Sequence, residues 1–215
     1  MSELPQLIRT ERLALADFLE TLGPTQWATR SLCDEWTVQD VAAHLAWAPL
    51  LRPSEMIPAI VKARFRLNKA SAEIAKRWAE RGPEAIVAQL RQNAETDAKP
   101  PGVPEIAALV DAVVHAIDIR HPLSSPRPVP PEAFTPVADF SVQAKWPMNV
   151  SVGGSARKRL AGVRLVAEGY NWSYGEGHEV RAAGDTVLRI LNGRGATRQE
   201  LTGDGATHLA MRLNP

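Results

Sequence analysis

The sequence has little cysteine, no long apolar run and almost no net charge. Cys33 is its single cysteine, which excludes an intramolecular disulfide and is typical of a reducing compartment. No window approaches the roughly 18 consecutive apolar residues of a membrane span, and the N-terminus lacks the basic start and apolar run of a signal peptide. We therefore expect a cytoplasmic protein. Lysine and arginine number 25 against 24 acidic residues, and this balance predicts neither a nucleic-acid nor a membrane partner.

The first 123 residues carry the apolar spacing of helices and no clear strand pattern. Apolar side chains recur every three or four residues, and Gly-Pro pairs at 23–24 and 82–83 interrupt the pattern. Thr37 and Asp40 form a capping pattern at the start of one segment. Helices are predicted at 3–22, 38–47, 56–81, 83–97 and 105–120. Residues 1–123 are therefore expected to form a helical bundle.

Composition changes after residue 123. The segment 124–131 contains four prolines in eight residues and is interpreted as a stiff, extended connector. Beyond it the apolar spacing shortens toward two, which is typical of strands. The elements predicted here are a helix at 132–146, strands at 163–168 and 172–181 joined by a turn at 169–171, a helix at 186–192 and an amphipathic stretch at 209–213. Residues 132–215 are expected to form a small α/β domain, so the whole chain is assigned to the α+β class.

Two histidines and an aspartate inside helical segments are the strongest candidates for chemistry. Asp111 and His115 are four residues apart, so they project from one face of a helix. His44, on a different helix, would complete a set of three metal ligands with a position open for water or substrate, and zinc accepts both histidine and carboxylate ligands. The spacing alone leaves a second interpretation open, in which both histidines hydrogen-bond to neighbours and Asp111 is solvated.

Other side chains near these positions allow more than one role. Asp118 either orients a ligand histidine or pairs with an arginine at the helix end. Arg120 either binds a substrate carboxylate in bidentate fashion or interacts with the helix C-terminus. Trp36 either lines a pocket or packs in the core at a helix start, and the core is the preferred interpretation. Cys33 is not predicted to be a nucleophile, because acidic residues follow it at positions 34 and 35.

Three parts of the chain resemble one known family. Residues 27–45, with the core Glu-Trp-Thr-Val-Gln-Asp-Val-Ala-Ala-His-Leu at 35–45, are similar to the N-terminal signature of the mycothiol-dependent maleylpyruvate isomerase family, a branch of the DinB-like helical bundles. The segment 113–123 is similar to that family's second histidine segment. The segments 162–168, 172–177, 191–194 and 201–205 resemble the C-terminal domain of the same family. That domain has a sterol-carrier-like α/β fold.

The resemblance implies a four-helix DinB-like bundle that carries a divalent metal, usually zinc, with ligands at His44, Asp111 and His115. Family members use the metal to lower the pKa of a low-molecular-weight thiol, mycothiol, and to present its thiolate to an electrophile. We therefore expect a metal-dependent thiol transferase or isomerase, a monomer or homodimer, that acts on a small, electrophilic and anionic molecule. Arg120 is the candidate catalytic residue that would hold the anionic group.

One departure from the family keeps an alternative function open. The acidic ligand of the family is usually glutamate, and Asp111 is one methylene shorter. The alternative is a metal-free member of the same fold that serves as a small-molecule-binding or protein-interaction module.

Overall fold

The computed structural model describes residues 3–34, 36–62, 64, 67–100, 102–145, 148–151 and 153–214. The chain divides into two units, Met1–Pro126 and Arg127–Pro215, and the division falls inside the proline-rich segment 124–131. That residues 1–123 and 132–215 form separate domains stays a prediction. Among the described residues, no helix is long and apolar enough to cross a membrane.

Unit 1 is built from helices, which confirms the bundle predicted from the apolar spacing. They are α1 Leu4–Glu20, α2 Pro24–Trp27, α3 Val38–Trp47, α4 Pro53–Lys62, α5 Leu67–Ala79, α6 Pro83–Glu95 and α7 Glu105–Arg120. α1 packs against α6 and α7, while α3 packs against α5, α6 and α7. Leu19, Val41, Leu90 and Ile119 are among the side chains buried between them. α3 and α7, which carry the candidate ligands, are therefore direct neighbours in the bundle.

The single helix predicted at 56–81 is wrong, because the structure has two helices there, α4 and α5. Arg64 lies between them with φ of 52°, in the left-handed region that ends an α-helix. The sequence from 59 to 70 contains neither glycine nor proline that would mark this break. The break lets α5 pack against both α3 and α4, so tertiary packing has overridden local helix propensity.

A capping box fixes the start of α3, the helix that carries His44. Asp40 N–H donates to Thr37 Oγ1 at 3.2 Å, and Thr37 N–H donates to Asp40 Oδ2 at 2.9 Å. Two backbone donors that a helix start leaves without partners are thereby satisfied. The capping pattern expected from the sequence is confirmed.

We expect Thr37→Ala to lower the free energy of unfolding of unit 1 by about 1 kcal/mol, because the start of α3 loses its side-chain acceptor. Urea denaturation followed by circular dichroism measures the loss. Thr96→Ala is the matched control, since Thr96 Oγ1 donates to Gln92 O at the exposed end of α6. A loss under about 0.5 kcal/mol is expected there. Equal losses in the two variants would contradict the importance of the cap.

Unit 2 combines helices with a three-stranded sheet, which confirms the predicted α+β class. Its elements are α8 Pro131–Gln143, α9 Met148–Ser151, α10 Ala156–Arg159, β1 Val163–Glu168, β2 Ser173–Tyr174, β3 His178–Ala183, α11 Gly184–Leu191 and α12 Ala206–Leu213. α11 packs against α8, β1 and β3. The helix predicted at 132–146 ends at Gln143, and Trp146, like Glu35 in unit 1, lies outside the described residues. The single turns α9 and α10 were not predicted.

β1 is the central strand of the sheet. It pairs antiparallel with β2 and parallel with β3. Val163, Leu165 and Ala167 are buried while their neighbours are more exposed, the period-two alternation on which the strand prediction rested. The outer edge of β3 carries a short bridge in which Arg181 and Thr202 exchange two backbone hydrogen bonds of 2.9 Å.

The single strand predicted at 172–181 is wrong, because β2 and β3 lie on opposite sides of β1. Gly175 and Gly177 separate them, with φ of 90° and 117°. A Cβ at either position would lie 2.3 Å from a carbonyl oxygen, that of Val163 or that of Gly162. Only glycine permits this approach, which carries the chain across the end of β1.

The core of unit 2 contains a buried arginine side chain. The side chain of Arg189 on α11 is 4% exposed and forms an ion pair with Glu200. It also donates to Gly195 O and to Thr186 Oγ1. Glu200 in turn accepts hydrogen bonds from the backbone N–H and the hydroxyl of Thr197. The ion pair therefore ties α11 to the turn that contains Glu200.

Candidate functional site

The three predicted ligand side chains meet between α3 and α7. Asp111 Oδ1 lies 3.5 Å from His44 Nε2 and 3.4 Å from His115 Nε2. Bonds of about 2 Å to one tetrahedral ion place ligand atoms about 3.3 Å apart, so both separations suit a shared ion. The side chains of His44 and His115 are 15% and 14% exposed, and that of Asp111 is 37% exposed. The cluster is therefore sheltered on the histidine side and reachable from solvent beside Asp111.

The second nitrogen of each histidine ring has its own partner. His44 Nδ1 lies 3.3 Å from Ser71 Oγ on α5. His115 Nδ1 lies 2.8 Å from Asp118 Oδ2, one turn further along α7. A carboxylate only accepts hydrogen bonds, so His115 Nδ1 carries a hydrogen, and the ring in its neutral form presents a lone pair at Nε2. A hydroxyl both donates and accepts, so the contact with Ser71 is compatible with either tautomer of His44.

When both rings are neutral and carry their hydrogen on Nδ1, three acceptor atoms face one another. The lone pairs of both Nε2 atoms and the carboxylate of Asp111 point toward a common centre. Such a set is stable only with a cation at that centre, either protons on the rings or a metal ion. Two imidazoles and a carboxylate are the donor set of catalytic zinc sites, so the side chains present fit a divalent metal. Ser71 and Asp118 are the partners that such ligand histidines require.

The pKa values of the cluster follow from the same contacts. Burial alone would raise the pKa of Asp111, but the charges of His44 and His115 and the hydrogen bonds from both rings outweigh it, and the pKa lies well below its ordinary value. Burial would lower the pKa of His115, but its interactions with Cys33, Asp111 and Asp118 raise that pKa well above the ordinary value. Asp111 is therefore an anion that holds a compensating positive charge next to it.

An aromatic side chain forms a wall of the cluster. The ring centroid of Trp36 lies 5.3 Å from that of His44 and 6.4 Å from that of His115, where the two planes are nearly parallel. The sequence interpretation of Trp36 as a core residue is thus incomplete, because the indole also contacts both candidate ligands. Trp47 lies 6.4 Å from His44 and is buried, in agreement with a core position.

Arg120, the predicted catalytic residue, makes two contacts with α1. Its Nη2 donates to Ala14 O at 3.1 Å, and its guanidinium carbon lies 3.9 Å from the ring centroid of Phe18. These contacts hold Arg120 against α1, and its role as an anion-binding residue stays a prediction.

A second arginine near the cluster, Arg12 on α1, was not singled out from the sequence. It is buried, and its Nη1 donates to Asn93 O and Ala98 O. Burial lowers the pKa of Arg12, while the charges of Asp111 and Asp97 act in the opposite direction. Arg12 is therefore a fixed positive charge within electrostatic range of Asp111. Its place in the middle of α1 did not mark it in the sequence, since an arginine on a helix is normally a surface residue.

Comparison with known proteins places the chain in a family. The model of the mycothiol maleylpyruvate isomerase N-terminal domain matches residues 8–120. The chain belongs to this family. Two solved structures each match 95% of this chain and 92% of their own: the mycothiol-dependent maleylpyruvate isomerase, at 16% identity and a TM-score of 0.60, and a histidine-to-alanine mutant of it, at 17% and 0.61. No protein with a curated description matches.

These matches confirm the family and the fold that the motifs implied. The region matched by the family model ends at Arg120 and contains His44, Asp111 and His115. The two solved structures are only 16% and 17% identical to this chain, so they show its fold and do not show which reaction it catalyses.

Proposed function

We propose that the protein is a metal-dependent enzyme that uses a low-molecular-weight thiol of the mycothiol type to isomerise or conjugate a small electrophilic acid, with maleylpyruvate as the first compound to test. The observation that carries this proposal is the convergence of His44 Nε2, Asp111 Oδ1 and His115 Nε2 on one point. Each histidine has a hydrogen-bond partner at Nδ1, which leaves its Nε2 directed at Asp111. Membership of the mycothiol maleylpyruvate isomerase family supports the thiol.

Each residue of the site has a separate role in the proposed reaction. His44, Asp111 and His115 would hold the ion, which when bound would lower the pKa of the thiol and so supply a nucleophile at neutral pH. Asp111 keeps its negative charge and offsets part of the charge of the ion. Trp36 contacts both histidine rings and would shield that side of the cluster from water. Arg120 is proposed to hold an anionic group of the substrate, a role that its planar guanidinium suits.

Metal content tests the proposal, with Asp111→Glu as the paired variant. We expect wild-type protein purified without chelator to contain close to one equivalent of divalent metal, because Asp111 Oδ1 reaches both Nε2 atoms without an extra methylene. Asp111→Glu is expected to bind the metal within about tenfold of wild type, since the ligand chemistry is unchanged. Elemental analysis and chelator competition give the two quantities.

The second candidate function is a metal-free binding module of the same fold, which the shorter Asp111 motivates. Wild-type protein with less than about a tenth of an equivalent of metal, together with an Asp111→Glu variant that binds zinc tightly, would establish that alternative. Equal binding by the two proteins removes its main support.

A further inference from the structure

A group of polar side chains lies behind His115, on the side of the ring turned away from Asp111. Asp118 is 0% exposed, and its Oδ2 lies 2.8 Å from His115 Nδ1. Cys33, from the loop before α3, donates its S–H to the same oxygen at 3.2 Å. The sulfur also lies 3.7 Å from His115 Nδ1. A buried carboxylate therefore receives two hydrogens, one from the candidate ligand and one from the single cysteine.

This group is a chain of hydrogen bonds and not a second metal site. The 2.8 Å between His115 Nδ1 and Asp118 Oδ2 is a hydrogen-bond distance, shorter than the roughly 3.3 Å between two ligands of one tetrahedral ion. Asp118 accepts only, so both hydrogens point at it. Cys33 Sγ and His115 Nδ1 lie close together because both donate to the same oxygen, Asp118 Oδ2.

The loop that carries Cys33 is tied to Asp118 through the backbone as well. Leu32 N–H donates to Asp118 O at 3.1 Å. Ser31 Oγ accepts from Cys33 N–H at 3.1 Å and donates to Trp36 O at 3.0 Å, which links Cys33 and Trp36 through one hydroxyl. Asp118 is thus the point where the loop with Trp36 and the helix with His115 join.

We propose that Asp118, steadied by Cys33, positions His115 and thereby sets the metal affinity of the cluster. The carboxylate holds the hydrogen on Nδ1 and fixes the rotation of the ring, so that the lone pair of Nε2 faces His44 and Asp111. Cys33 keeps the carboxylate aligned from the loop side. This role rests on the proposed metal-dependent function and assigns a positioning residue to it.

Cobalt binding tests the role without reference to turnover. Co²⁺ is titrated into chelator-treated wild type, Asp118→Asn and Cys33→Ala, with its visible spectrum and its affinity by chelator competition as readouts. We expect Asp118→Asn to weaken binding by about 10- to 100-fold and to change the spectrum, because an amide can donate to Nδ1 and move the ring hydrogen to Nε2. Cys33→Ala is expected to weaken binding less than about tenfold, since it leaves the carboxylate in place.

Asp139→Asn is the matched control. Asp139 Oδ1 accepts the indole N–H of Trp172 at 2.9 Å in unit 2, so the same substitution removes a carboxylate acceptor there. Its cobalt affinity is expected to equal that of wild type. A direct measurement covers the case in which Asp118→Asn does not fold: the zinc-loaded wild type should show a hydrogen-bonded Nδ1–H resonance for His115 in nitrogen–proton correlation spectra.

The outcomes separate the two proposals. Wild-type protein that binds no cobalt overturns the proposed function, and the role of Asp118 with it. Wild-type protein that binds cobalt, with Asp118→Asn within about threefold of it and an unchanged spectrum, overturns the positioning role alone. An Nε2–H resonance for His115 in the zinc-loaded protein also overturns it.

Discussion

His44→Ala is expected to abolish the binding of divalent metal and to lower turnover with mycothiol by about a thousandfold, since a Lewis-acid metal is worth several kcal/mol and each 1.4 kcal/mol is a factor of ten. The substitution removes one of three atoms that face the common centre. Without His44, Asp111 and His115 are a side-chain pair four residues apart on one helix. Such pairs are common on helices and do not by themselves bind a metal ion. Elemental analysis and an assay of maleylpyruvate consumption give the two readouts.

His178→Ala is the matched control for His44→Ala. His178 also pairs with an aspartate, with Nδ1 2.9 Å from Asp204 Oδ2, but both side chains are exposed in unit 2. Its metal content and turnover should equal those of wild type. If His44→Ala keeps its metal and more than about a tenth of its turnover, the cluster is not the catalytic metal site.

Glu200→Ala is expected to lower the free energy of unfolding of unit 2 by about 3 kcal/mol, because it leaves the buried guanidinium of Arg189 without its carboxylate. The loss includes the hydrogen bonds that Glu200 accepts from Thr197. Urea denaturation with pulsed hydrogen exchange, read by mass spectrometry on peptides of β1 and α11, follows unit 2 separately. Glu168→Ala, at an exposed position of β1, is the control and should cost under about 0.5 kcal/mol.

The same ion pair gives unit 2 a defined dependence on pH. Burial would raise the pKa of Glu200, but the hydrogen bonds from Thr197 and the charge of Arg189 outweigh it and hold the pKa below its ordinary value. A carboxyl with a lowered folded-state pKa stabilises fully above its unfolded pKa and loses that contribution as pH falls through the folded pKa. Stability should therefore fall below about pH 4.5, and Glu200→Ala should remove this part of the fall. An unchanged acid profile in the variant would refute the assignment.

Much of unit 1 could be predicted because its signals are local. The spacing of apolar residues and the cap at Thr37 define α3, and the same spacing defines α7 from Glu105 to Arg120. A helix face follows from sequence separation alone, which is why Asp111 and His115 could be paired. His44 was a candidate third ligand from a separate helical segment, and only the family resemblance placed it at a ligand position, since nothing local states which helices are neighbours. That the three bind a metal stays a prediction.

The neighbours of the ligands that come from other elements could not be predicted. Ser71 reaches His44 from α5, a helix whose separate existence depends on a break at Arg64 that no glycine or proline announces. Trp36 reaches both histidines from a loop without periodicity. Two roles for Asp118 were open in the sequence, and its contact of 2.8 Å with His115 Nδ1 supports the orienting role.

The sheet of unit 2 offers little to a foreign strand. β2 is only two residues long, so that edge presents few backbone groups for pairing. The other edge, along β3, is already paired at Arg181 by Thr202. Short or covered edges are how natural sheets avoid polymerising through their margins. The sheet of unit 2 therefore has, among the described residues, one short edge and one partly covered edge, both of which disfavour the addition of a strand from another copy.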